Sequence, residues 1–471
     1  MAGYRTTPGR RLPGGLPEWP SAPMARGMKR LYSDAAYRPG ADPGNLWQST
    51  IATPSASPPN GEGTAEVAVI GAGFTGLQAA LRLAADHGRE VVVVDAAWPG
   101  WGASGRNGGF CCLGGTKLSI PQIRRRTGPA GAAAFCAAQL EAIDFVAETL
   151  DRFGIDADRT GSGEILAAHR PRDFAGFPED AAAFRAAYGR PAEVLPPRAL
   201  AERGIASPAF HGGLHLGAGF GLNPLKYVLG LAEAARAAGV RIQGETLVEA
   251  IVPEGRDLVL RTTRGRLRAR QVILATNGYS SDGLPDWMTG RYLPALSNIL
   301  ATRPLTAAEQ AAQGWTATEI VADTRRLLHY MRLLPDGRFL FGMRGGTSDA
   351  PRALAAVHAQ LREDFRRLFP AWAGVETPWL WQGLVCLTPT LSAYVGPVPG
   401  LPGAFAAFGY HGNGVSMASW AGARVADLAA GTMTPEALPP IIARPPGRFP
   451  LPGLRRRFLA PAYAWYGWRD R

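Results

Sequence analysis

The sequence predicts an α/β fold organised around a Rossmann-like βαβ unit between Val67 and Asp95. Four apolar residues, Val67 to Ile70, are typical of a buried strand, and a G-x-G-x-x-G turn follows them directly. Apolar residues at helical spacing then lead to a second apolar strand, Val91 to Val94. This order of strand, glycine turn, helix and strand indicates a dinucleotide-binding unit, because each part stands where phosphate binding needs it.

The glycine turn contains the residues needed to receive a pyrophosphate. Gly71 permits the tight turn, Gly73 lets the backbone approach the phosphates, and Gly76 lets the helix pack on the strand. The helix N-terminus offers free N–H groups and a partial positive charge, and Asp95 can accept a hydrogen bond from a ribose 2′-hydroxyl. The alternative is an ordinary βαβ unit whose glycines serve packing alone. The candidate cofactor contacts in this unit are Gly71, Gly73, Phe74, Thr75, Gly76 and Asp95.

A second glycine-rich segment, Trp98 to Phe110, follows the second strand. Such a run lets the backbone pass close to a large flat ligand. Its core, G-A-S-G-R-N-G-G, resembles the second flavin-contacting motif of the D-amino-acid-oxidase-like FAD oxidoreductases and is most similar to the γ-glutamylputrescine oxidase branch. Two later segments resemble the same family, V-I-L-A-T-N-G-Y at Val272–Tyr279 and F-G-Y-H-G-N-G-V-S-M-A at Phe408–Ala418. The resemblance covers roughly residues 30–440.

The resemblance implies a non-covalent FAD cofactor and a set of residues around it. Arg106 and Asn107 could contact the ring or the phosphates, or they could instead brace the loop. The helix expected to start near Gly414 would present N–H groups to the flavin, and its alternative is a packing helix of small residues. The implied contacts beyond the first unit are Gly102, Ala103, Ser104, Arg106, Asn107, Gly108, Gly109, Val248, Ala275, Thr276, Gly409, Gly412, Asn413, Gly414 and Val415.

Cys386 raises the alternative of a covalent flavin, because sarcosine-oxidase relatives tether FAD through a cysteine just before the last segment. The register of the Gly409–Gly414 segment instead places Gly383 about where that cysteine belongs. A free cysteine is commonly a small buried hydrophobe. We therefore expect FAD to be held without a covalent bond.

The chain is predicted to form two interleaved lobes with terminal extensions. The second lobe is expected to be an α+β substrate domain built on an antiparallel sheet, because residues 291–346 hold apolar runs joined by a Pro-Asp-Gly turn. Residues 29–64 are expected to form an arm anchored by Tyr32, Tyr37 and Trp47. The predicted divisions are 1–28, a disordered basic tail; 29–64, the arm; 65–125, 205–285 and 385–440, the FAD-binding domain; 126–204 and 286–384, the substrate domain; and 441–471, a basic C-terminal tail.

The resemblance implies FAD-dependent oxidation of the C–N bond of a small-molecule amine or amino acid to an imine, with dioxygen as the expected electron acceptor. Three alternatives stay open. One is a dehydrogenase of the same fold that passes electrons to a carrier. Another is a D-amino-acid or glycine oxidase, which needs a carboxylate-binding arginine in the cavity. The third is a non-catalytic FAD-binding protein.

Candidate substrate contacts lie on the strands that would roof the flavin, and strand alternation separates them into two faces. Tyr330 and Arg332 share one face, while His329 lies on the other. Lys117 is the candidate group for activating oxygen, because a nearby ammonium stabilises negative charge developing on dioxygen. Its alternative is a surface charge at the next helix start. The candidates are Lys117, His329, Tyr330, Arg332, Met343, Arg344 and His411, the last with the alternative of a loop residue whose ring lies in solvent.

Composition limits the remaining classes. The chain has 471 residues, 46% of them apolar, and its net charge of +12 is concentrated in residues 1–40 (+5) and 441–471 (+6). Three lysines accompany 47 arginines, which indicates a composition bias rather than a nucleic-acid patch, and no nucleic-acid motif is present. No apolar run predicts a membrane span. Four cysteines without metal spacing predict reduced thiols, no metal site and a cytoplasmic protein; the oligomeric state is left open.

Overall fold

The computed structural model describes residues 29–37, 44–52 and 62–470. The predictions for residues 1–28 and for most of the linker before the first strand therefore lie outside the described residues. The strands in chain order are β1 (Glu62–Ile70), β2 (Val91–Val94), β3 (Phe110–Cys111), β4 (Glu164–Ala167), β5 (Ala192–Leu195), β6 (Gly213–Leu216), β7 (Phe220–Gly221), β8 (Arg241–Gln243), β9 (Val248–Glu254), β10 (Asp257–Thr262), β11 (Gly265–Leu274), β12 (Leu293–Ala301), β13 (Ile320–Asp323), β14 (His329–Leu333), β15 (Phe339–Arg344), β16 (Trp379–Leu387), β17 (Tyr394–Pro397) and β18 (Ala404–Phe408).

The helices connect these strands and cover the sheets. They are α1 (Phe74–Ala85), α2 (Ile120–Arg152), α3 (Pro171–Tyr188), α4 (Pro197–Glu202), α5 (Pro224–Ala237), α6 (Ala307–Gln313), α7 (Pro351–Leu368), α8 (Gly414–Ala430), α9 (Pro440–Ala443) and α10 (Leu459–Arg469). The sequence predicts one helix that opens at Asn223-Pro224, because proline is favoured at the first helical position, and a last helix that opens at the Gly409–Gly414 motif. Both are confirmed as α5 and α8. At the first of these, Asn223 caps α5 by accepting hydrogen bonds from two backbone N–H groups.

The first sheet, which we call the nucleotide sheet, has the order β17-β18-β11-β1-β2-β8. β1 pairs in parallel with β2 and β11, as the βαβ unit requires. Val67 and Val69 pack into the core shared with α1, α5 and α8, while Ala68 and Ile70 pack into a second core on the other face. Burial on both faces explains why the strand is apolar at every position.

One strand of this sheet differs from the prediction. The sequence pattern predicts one strand at residues 266–269, in a hairpin with 258–262, and a separate buried strand at 272–275. In the structure β11 runs without a break from Gly265 to Leu274. Its first half pairs with β10 and its second half with β18, so the strand changes neighbour halfway along. Polar arginines in the middle of β11 interrupt its apolar pattern without interrupting its backbone pairing.

The second sheet, which we call the roof sheet, has the order β16-β12-β15-β14-β13-β4-β6-β5. It is antiparallel except where β13 runs parallel to β4. Ile165 and Ala167 of β4 pack on its outer face with Phe365 and Leu368 of α7. The fold class is confirmed. The predicted domain division is wrong at β6, which was placed in the FAD-binding domain but pairs with β4, and at β16, which extends the roof sheet past residue 385.

Apolar residues at helical spacing between Cys136 and Leu150 predict one long amphipathic helix after the glycine-rich segment, and this helix is α2. It ends at Arg152, and Gly154 follows in the left-handed region with φ 61°. A kink at Gly128 divides it. Among the described residues α2 is the one helix long and apolar enough, by length and composition, to cross a membrane. That is weak evidence, because half of its most apolar stretch is buried inside the fold, as in the core helix of a soluble protein.

Described residues near each end of the chain, in the arm and after residue 440, pack against the fold. Tyr32, Tyr37 and Trp47 are buried, as predicted for the arm. The predicted C-terminal tail is not a simple tail, because residues 440–443 and 459–469 are helical. Within it, Arg455 is fully buried and forms a bidentate ion pair with Asp282 at 2.7 and 2.9 Å. Much of the terminal positive charge at this end of the chain is thus on folded structure.

We predict that Arg455→Met destabilises the protein more than any exposed arginine substitution near it. The change leaves Asp282 without its bidentate partner and removes the Nε hydrogen bond to the Tyr292 carbonyl, which is 2.7 Å long. Removing one partner of a buried pair costs about 3–5 kcal/mol. Urea unfolding of the full chain measures it, with the exposed neighbour Arg457→Met as the matched control. Equal midpoints for the two variants would contradict the assignment.

Candidate functional site

A long cleft runs between the two sheets. The nucleotide part of the cleft is lined by the glycine turn after β1, by the ends of β2 and β11 and by the start of β9. The roof part of the cleft lies under the roof sheet. The two parts share lining residues and are therefore continuous. The shared residues are Phe74, Ala103, Ser104, Asn277, Tyr410 and Ala418.

The glycine turn has the geometry of a phosphate cradle. Gly71 has φ +108°, and a Cβ there would lie 2.9 Å from the Ala275 carbonyl oxygen. A Cβ on Gly76 would lie 1.8 Å from the Gly71 oxygen, so only glycine lets α1 pack this closely. A Cβ on Gly73 would meet the Ser104 hydroxyl at 2.8 Å. The glycines are thus required by the turn itself, and the space they leave opens into the cleft, as a dinucleotide needs.

The start of α1 shows contacts that the sequence did not reveal. The Phe74 N–H donates to Ser104 Oγ at 2.9 Å, so the second glycine-rich segment caps the first helix. The Thr75 hydroxyl pairs with the Tyr410 hydroxyl at 2.8 Å, far along the chain. Phe74 and Thr75 still line the nucleotide part of the cleft. One consequence is that the three glycine motifs are tied to one another before any ligand binds.

Asp95 lies at the carboxyl end of β2 and lines the cleft. Its two carboxylate oxygens accept hydrogen bonds from the backbone N–H groups of Ala72 and Ala97, at 2.7 and 2.8 Å. Burial raises the pKa of Asp95, and these two bonds act in the opposite direction. Each carboxylate oxygen keeps a further lone pair, so the oriented group can also accept from a ribose hydroxyl. Val248, Ala275 and Thr276 line the same part.

The segment Gly102–Gly109 is held by side chains from elsewhere in the chain. The carbonyl oxygens of Arg106, Asn107 and Gly108 accept hydrogen bonds from Trp381 Nε1, Trp47 Nε1 and Arg332 Nε, at 2.8, 2.9 and 2.9 Å respectively. Three consecutive carbonyls are therefore satisfied by three separate segments.

Arg106 and Asn107 brace this loop with their own side chains. Arg106 Nε donates to the Trp101 carbonyl at 2.6 Å, and its guanidinium lies 4.5 Å from the Trp101 ring centre. Asn107 donates to the carbonyls of Ala103 and Ser104 and accepts from the Gly109 N–H. These contacts favour the bracing interpretation. Both residues also line the roof part of the cleft, so bracing and ligand contact are compatible.

Arg332 does not reach the cleft, which corrects the expectation of a substrate contact. Its guanidinium is buried behind the loop, where it donates to the carbonyls of Gly108 and Leu222 and lies over the Trp47 ring. Burial lowers its pKa. Strand alternation placed Arg332 on the correct face, but the glycine loop covers that part of the face. A Cβ on Gly109 would lie 1.9 Å from the Leu222 oxygen, which shows how closely the loop packs there.

The start of α8 opens directly into the cleft. Gly412, Asn413, Gly414 and Val415 line the roof part, and Asn413 donates from its amide to the Leu113 carbonyl at 2.9 Å. Asn413 is the N-cap residue but makes no side-chain cap, so its side chain leaves the first N–H groups of α8 without a partner at a helix end that lines the cleft. Gly409 does not line it; its N–H donates to Asn277 Oδ1 at 2.9 Å and fixes the approach to the helix.

Two predicted substrate contacts, Tyr330 and Arg344, do line the roof part. The Tyr330 hydroxyl pairs with Ser297 Oγ at 2.9 Å, and burial raises its pKa to about 12. Arg344 donates from Nη2 to the His411 carbonyl at 2.9 Å, and burial lowers its pKa. No carboxylate of the described residues forms an ion pair with Arg344. Its charge is therefore available to a ligand.

His411 is neither a lining residue nor a solvated loop residue. Its ring is buried, and Nε2 lies 3.1 Å from the Thr388 hydroxyl. Burial, with Lys117 and Arg344 nearby, lowers its pKa to about 3, so the ring is neutral at physiological pH. The backbone adopts φ 57°, unusual for a residue with a side chain. This local conformation accompanies the hydrogen bond from Arg344 to its carbonyl.

His329 and Met343 are paired neighbours on the opposite, outer face of the roof sheet. His329 Nδ1 lies 2.8 Å from Asp323, and Nε2 lies 3.4 Å from Asp364. These two carboxylates raise its pKa against the effect of burial. This ion cluster stabilises the outer face, and both residues are excluded as cleft contacts.

Lys117 lies beside the roof part of the cleft and not in its lining. The residue is exposed, and its backbone N–H donates to the carbonyl of Leu391. Burial and then the charge of Arg344 lower the pKa of its amine to about 7, and the charges of Cys112 and Glu164 act in the opposite direction. Lys117 is thus an exposed residue whose amine is influenced by residues that line the cleft.

Glu164 is the cleft residue that sequence reasoning missed. It is the first residue of β4 and lines the roof part together with Tyr330 and Arg344. Burial raises its pKa to about 7. In the sequence it looked like one more residue of a short strand, G-E-I-L-A. A glutamate at the start of an otherwise apolar strand was the available signal.

Gly383 and Cys386 both line the roof part. Gly383 faces Arg106, since a Cβ there would lie 3.6 Å from Arg106 Cβ. Burial raises the pKa of the Cys386 thiol to about 12, so it is not a ready nucleophile. Gly383 stands at the position where sarcosine-oxidase relatives carry the cysteine that binds FAD covalently, and the Cys386 thiol is protonated. Both observations agree with a non-covalent cofactor. Among the described residues no cluster of His, Cys, Asp and Glu could hold a metal ion.

Comparison with known proteins identifies similar chains. The sequence profile described as "FAD dependent oxidoreductase" (DAO) matches residues 66–428. The probable oxidoreductase OrdL of Rhizobium meliloti is 32% identical over 420 residues, which cover 87% of this chain and 93% of that protein. The gamma-glutamylputrescine oxidoreductase of Escherichia coli is 30% identical over 412 residues, with the same two coverages of 87% and 93%.

Solved structures share the fold at lower identity. The glycine oxidase of Geobacillus kaustophilus superposes with a TM-score of 0.64 at 21% identity and covers 79% of this chain and 96% of its own. The L-proline dehydrogenase of P. horikoshii gives a TM-score of 0.64 at 19% identity, with coverages of 79% and 95%. At these identities the likeness concerns the fold alone.

We predict that Asp95→Ala weakens FAD binding by roughly 1–3 kcal/mol, the cost of leaving buried hydrogen-bonding groups unpaired. The change removes the acceptor for a ribose hydroxyl and for the N–H groups of Ala72 and Ala97. Asp95→Asn keeps an oxygen acceptor and should lose less. Titration of apoprotein with FAD measures the affinity, and Glu90→Ala, at the other end of β2, is the surface control. An unchanged FAD affinity in Asp95→Ala would show that the ribose is held elsewhere.

Proposed function

Because the chain belongs to the FAD-dependent oxidoreductase (DAO) family, we propose that it oxidises the carbon–nitrogen bond of an amine or amino acid to an imine, which water then hydrolyses. It is an FAD-dependent enzyme. One observation carries the proposal: the nucleotide cradle continues into the roof part of the cleft, which we call the chamber, and charged side chains line that chamber. The relative named gamma-glutamylputrescine oxidoreductase supports an amine as the substrate.

The residues of the cleft fit FAD in two ways. The glycine turn and Asp95 suit the adenosine and pyrophosphate part, and the N-terminus of α8 suits an electron-rich group, because its N–H groups face the chamber with a partial positive charge. When bound, FAD supplies the acceptor for the hydride that leaves the carbon next to nitrogen. The protein supplies position, exclusion of water and charge. No side chain is required as a base if the amine binds in its neutral form.

Arg344 favours a substrate that carries a carboxylate. Its half-buried guanidinium has one hydrogen bond, to the His411 carbonyl, and no acidic partner in the described part of the chain. An arginine fork of this kind binds a carboxylate through two parallel hydrogen bonds. The neutral His411 ring adds no competing charge. Among the members of the proposed substrate class, this observation favours amino acids and amines with an acidic group.

The electron acceptor is proposed to be dioxygen, with Lys117 as the group that assists it. Lys117 is the one lysine of the described residues whose amine interacts electrostatically with the chamber residues Arg344 and Glu164. Lys226 instead pairs with Asp158 at 2.6 Å, and Lys29 bridges to Asp282 by its backbone. A positive charge there would stabilise negative charge developing on oxygen. The alternative is an electron carrier, and it needs no such charge.

Anaerobic mixing with a panel of amines and amino acids tests the reaction. We expect at least one member to bleach the flavin absorbance, because hydride transfer reduces FAD without oxygen. A matched amine with no hydrogen on the carbon next to nitrogen should leave the flavin oxidised. In Arg344→Met, the half-saturating concentration should rise for substrates with a carboxylate and stay unchanged for plain amines. A panel in which no compound bleaches the flavin would count against the proposal.

Lys117→Met should slow reoxidation of the reduced protein by roughly 100-fold or more, the usual size of such an electrostatic contribution. In the wild type the charged amine is present below its pKa of about 7, so reoxidation should slow as the pH rises through that value. The variant should lose this pH dependence. Stopped-flow mixing with oxygenated buffer measures the rate, and Lys226→Met is the matched control. Unchanged reoxidation in Lys117→Met would favour an electron carrier instead.

A further inference from the structure

Glu164 points into the chamber because of its place on β4. Ile165 and Ala167 of this strand pack into the core on the outer face of the roof sheet. Alternation then turns Glu164 and Leu166 to the inner face. Glu164 is 9% exposed and lines the chamber, so this small exposed fraction is chamber surface. The carboxyl group is therefore both buried in the protein and accessible to a ligand.

No cation of the described residues forms an ion pair with Glu164. The Cys112 thiol is its hydrogen-bonding neighbour, and the charge of Lys117 acts on its carboxyl group. The Arg344 guanidinium and the Tyr330 hydroxyl line the same chamber. Lys117 and the thiol favour the ionised carboxylate, but burial outweighs both. A buried carboxylate without a partner is costly. Because Lys117 and the thiol offset only part of that cost and no ion pair forms, the position is explained better by a ligand than by stability.

Arg344 lines the same chamber from β15, and it too lacks a partner of opposite charge within the described ranges. If the two charges served each other, they would form an ion pair, and they do not. A ligand that carries both a negative and a positive group would satisfy both side chains at once. The chamber is thus matched to a ligand with two charges rather than to a neutral or singly charged one.

The cationic group that pairs with Glu164 is best assigned to a nitrogen that does not react. Oxidation of an amine requires a free lone pair on nitrogen, and hence a neutral amine. An adjacent carboxylate favours the charged form of an amine and so opposes this requirement. A lasting ion pair with Glu164 therefore suits a second nitrogen, away from the bond that is oxidised.

We propose that Glu164 binds a second, non-reacting cationic nitrogen of the substrate, so that the substrate is a diamine derivative or a basic amino acid. This rests on the proposed amine oxidation at the same chamber. Arg344 would hold an acidic group of the same molecule where one is present. Glu164 is in this sense a specificity-determining residue.

Binding of non-reacting probes tests the site directly. The probes are ω-trimethylammonio carboxylates in a short series of chain lengths and their carbon isosteres, in which a tert-butyl group replaces the trimethylammonium group. Calorimetry on the FAD-loaded protein at alkaline pH, where Glu164 is ionised, should show at least about tenfold tighter binding of the cationic probe, equal to about 1.4 kcal/mol. Glu164→Gln should abolish this preference and leave binding of the neutral isostere within about twofold. The exposed acid Glu179→Gln should behave as wild type.

A second measurement covers probes that are too bulky to enter. Anaerobic flavin bleaching is compared for matched amines with and without a second amino group, in wild type and Glu164→Gln. The proposal expects the half-saturating concentration to rise at least about tenfold in the variant for the diamine only. If Glu164→Gln slows flavin bleaching equally for both amines, Glu164 acts as a base and the proposal is overturned. The proposal is also overturned if neither experiment shows a preference for the cationic compound. If no amine bleaches the flavin but the probes show a Glu164-dependent preference, the proposed function fails and the cation site stands.

Discussion

The arrangement of the whole cleft depends on how the segment Gly102–Gly109 is held between the two sheets. This segment crosses from one lobe to the other with little strand pairing of its own, yet its backbone polar groups are buried and need partners. Indole and guanidinium groups from Trp47, Trp381 and Arg332 donate to three consecutive carbonyls. The Leu222 N–H donates to the next one, on Gly109, at 2.9 Å. Because these donors come from the arm, from two strands of the roof sheet and from the residue that follows β7, the loop fixes these segments relative to one another.

The nucleotide part of the cleft could be predicted from the sequence because its chemistry is carried by the backbone. Glycines at Gly71, Gly73 and Gly76 have one reason to occur at that spacing, namely contacts too close for any side chain. Local sequence order then reproduces spatial order. The same reasoning identified α5, α8 and the two-face burial of β1. It failed for β11, where a strand changes neighbour, since partner choice is not encoded in the local pattern.

Only some of the side chains that line the roof part of the cleft could be predicted, because the lining depends on which strands pair across long sequence distances. Alternation correctly separated Tyr330 from His329, but it could not show that the glycine loop covers Arg332 while leaving Arg344 open. Glu164 was missed for the same reason. It lies far from the other candidates in the chain, and it reaches them only because β13 pairs with β4 in parallel and with β14 on its other side.

Small side chains on the inner face of the roof sheet create the chamber and leave its charges uncompensated. Gly342 stands opposite Tyr330, and a Cβ there would lie 2.2 Å from the tyrosine ring, so the ring can lie flat only over a glycine. Ser297 and Ala322 line the space beside it. A larger residue at any of these positions would fill the volume between Arg344 and Glu164 and let protein atoms, rather than a ligand, solvate the two charges. The charges are costly in an empty protein and useful in a loaded one. The small residues Gly342, Ser297 and Ala322 therefore leave the roof sheet less tightly packed and both charges available to a ligand. Stability alone would favour larger residues at these positions.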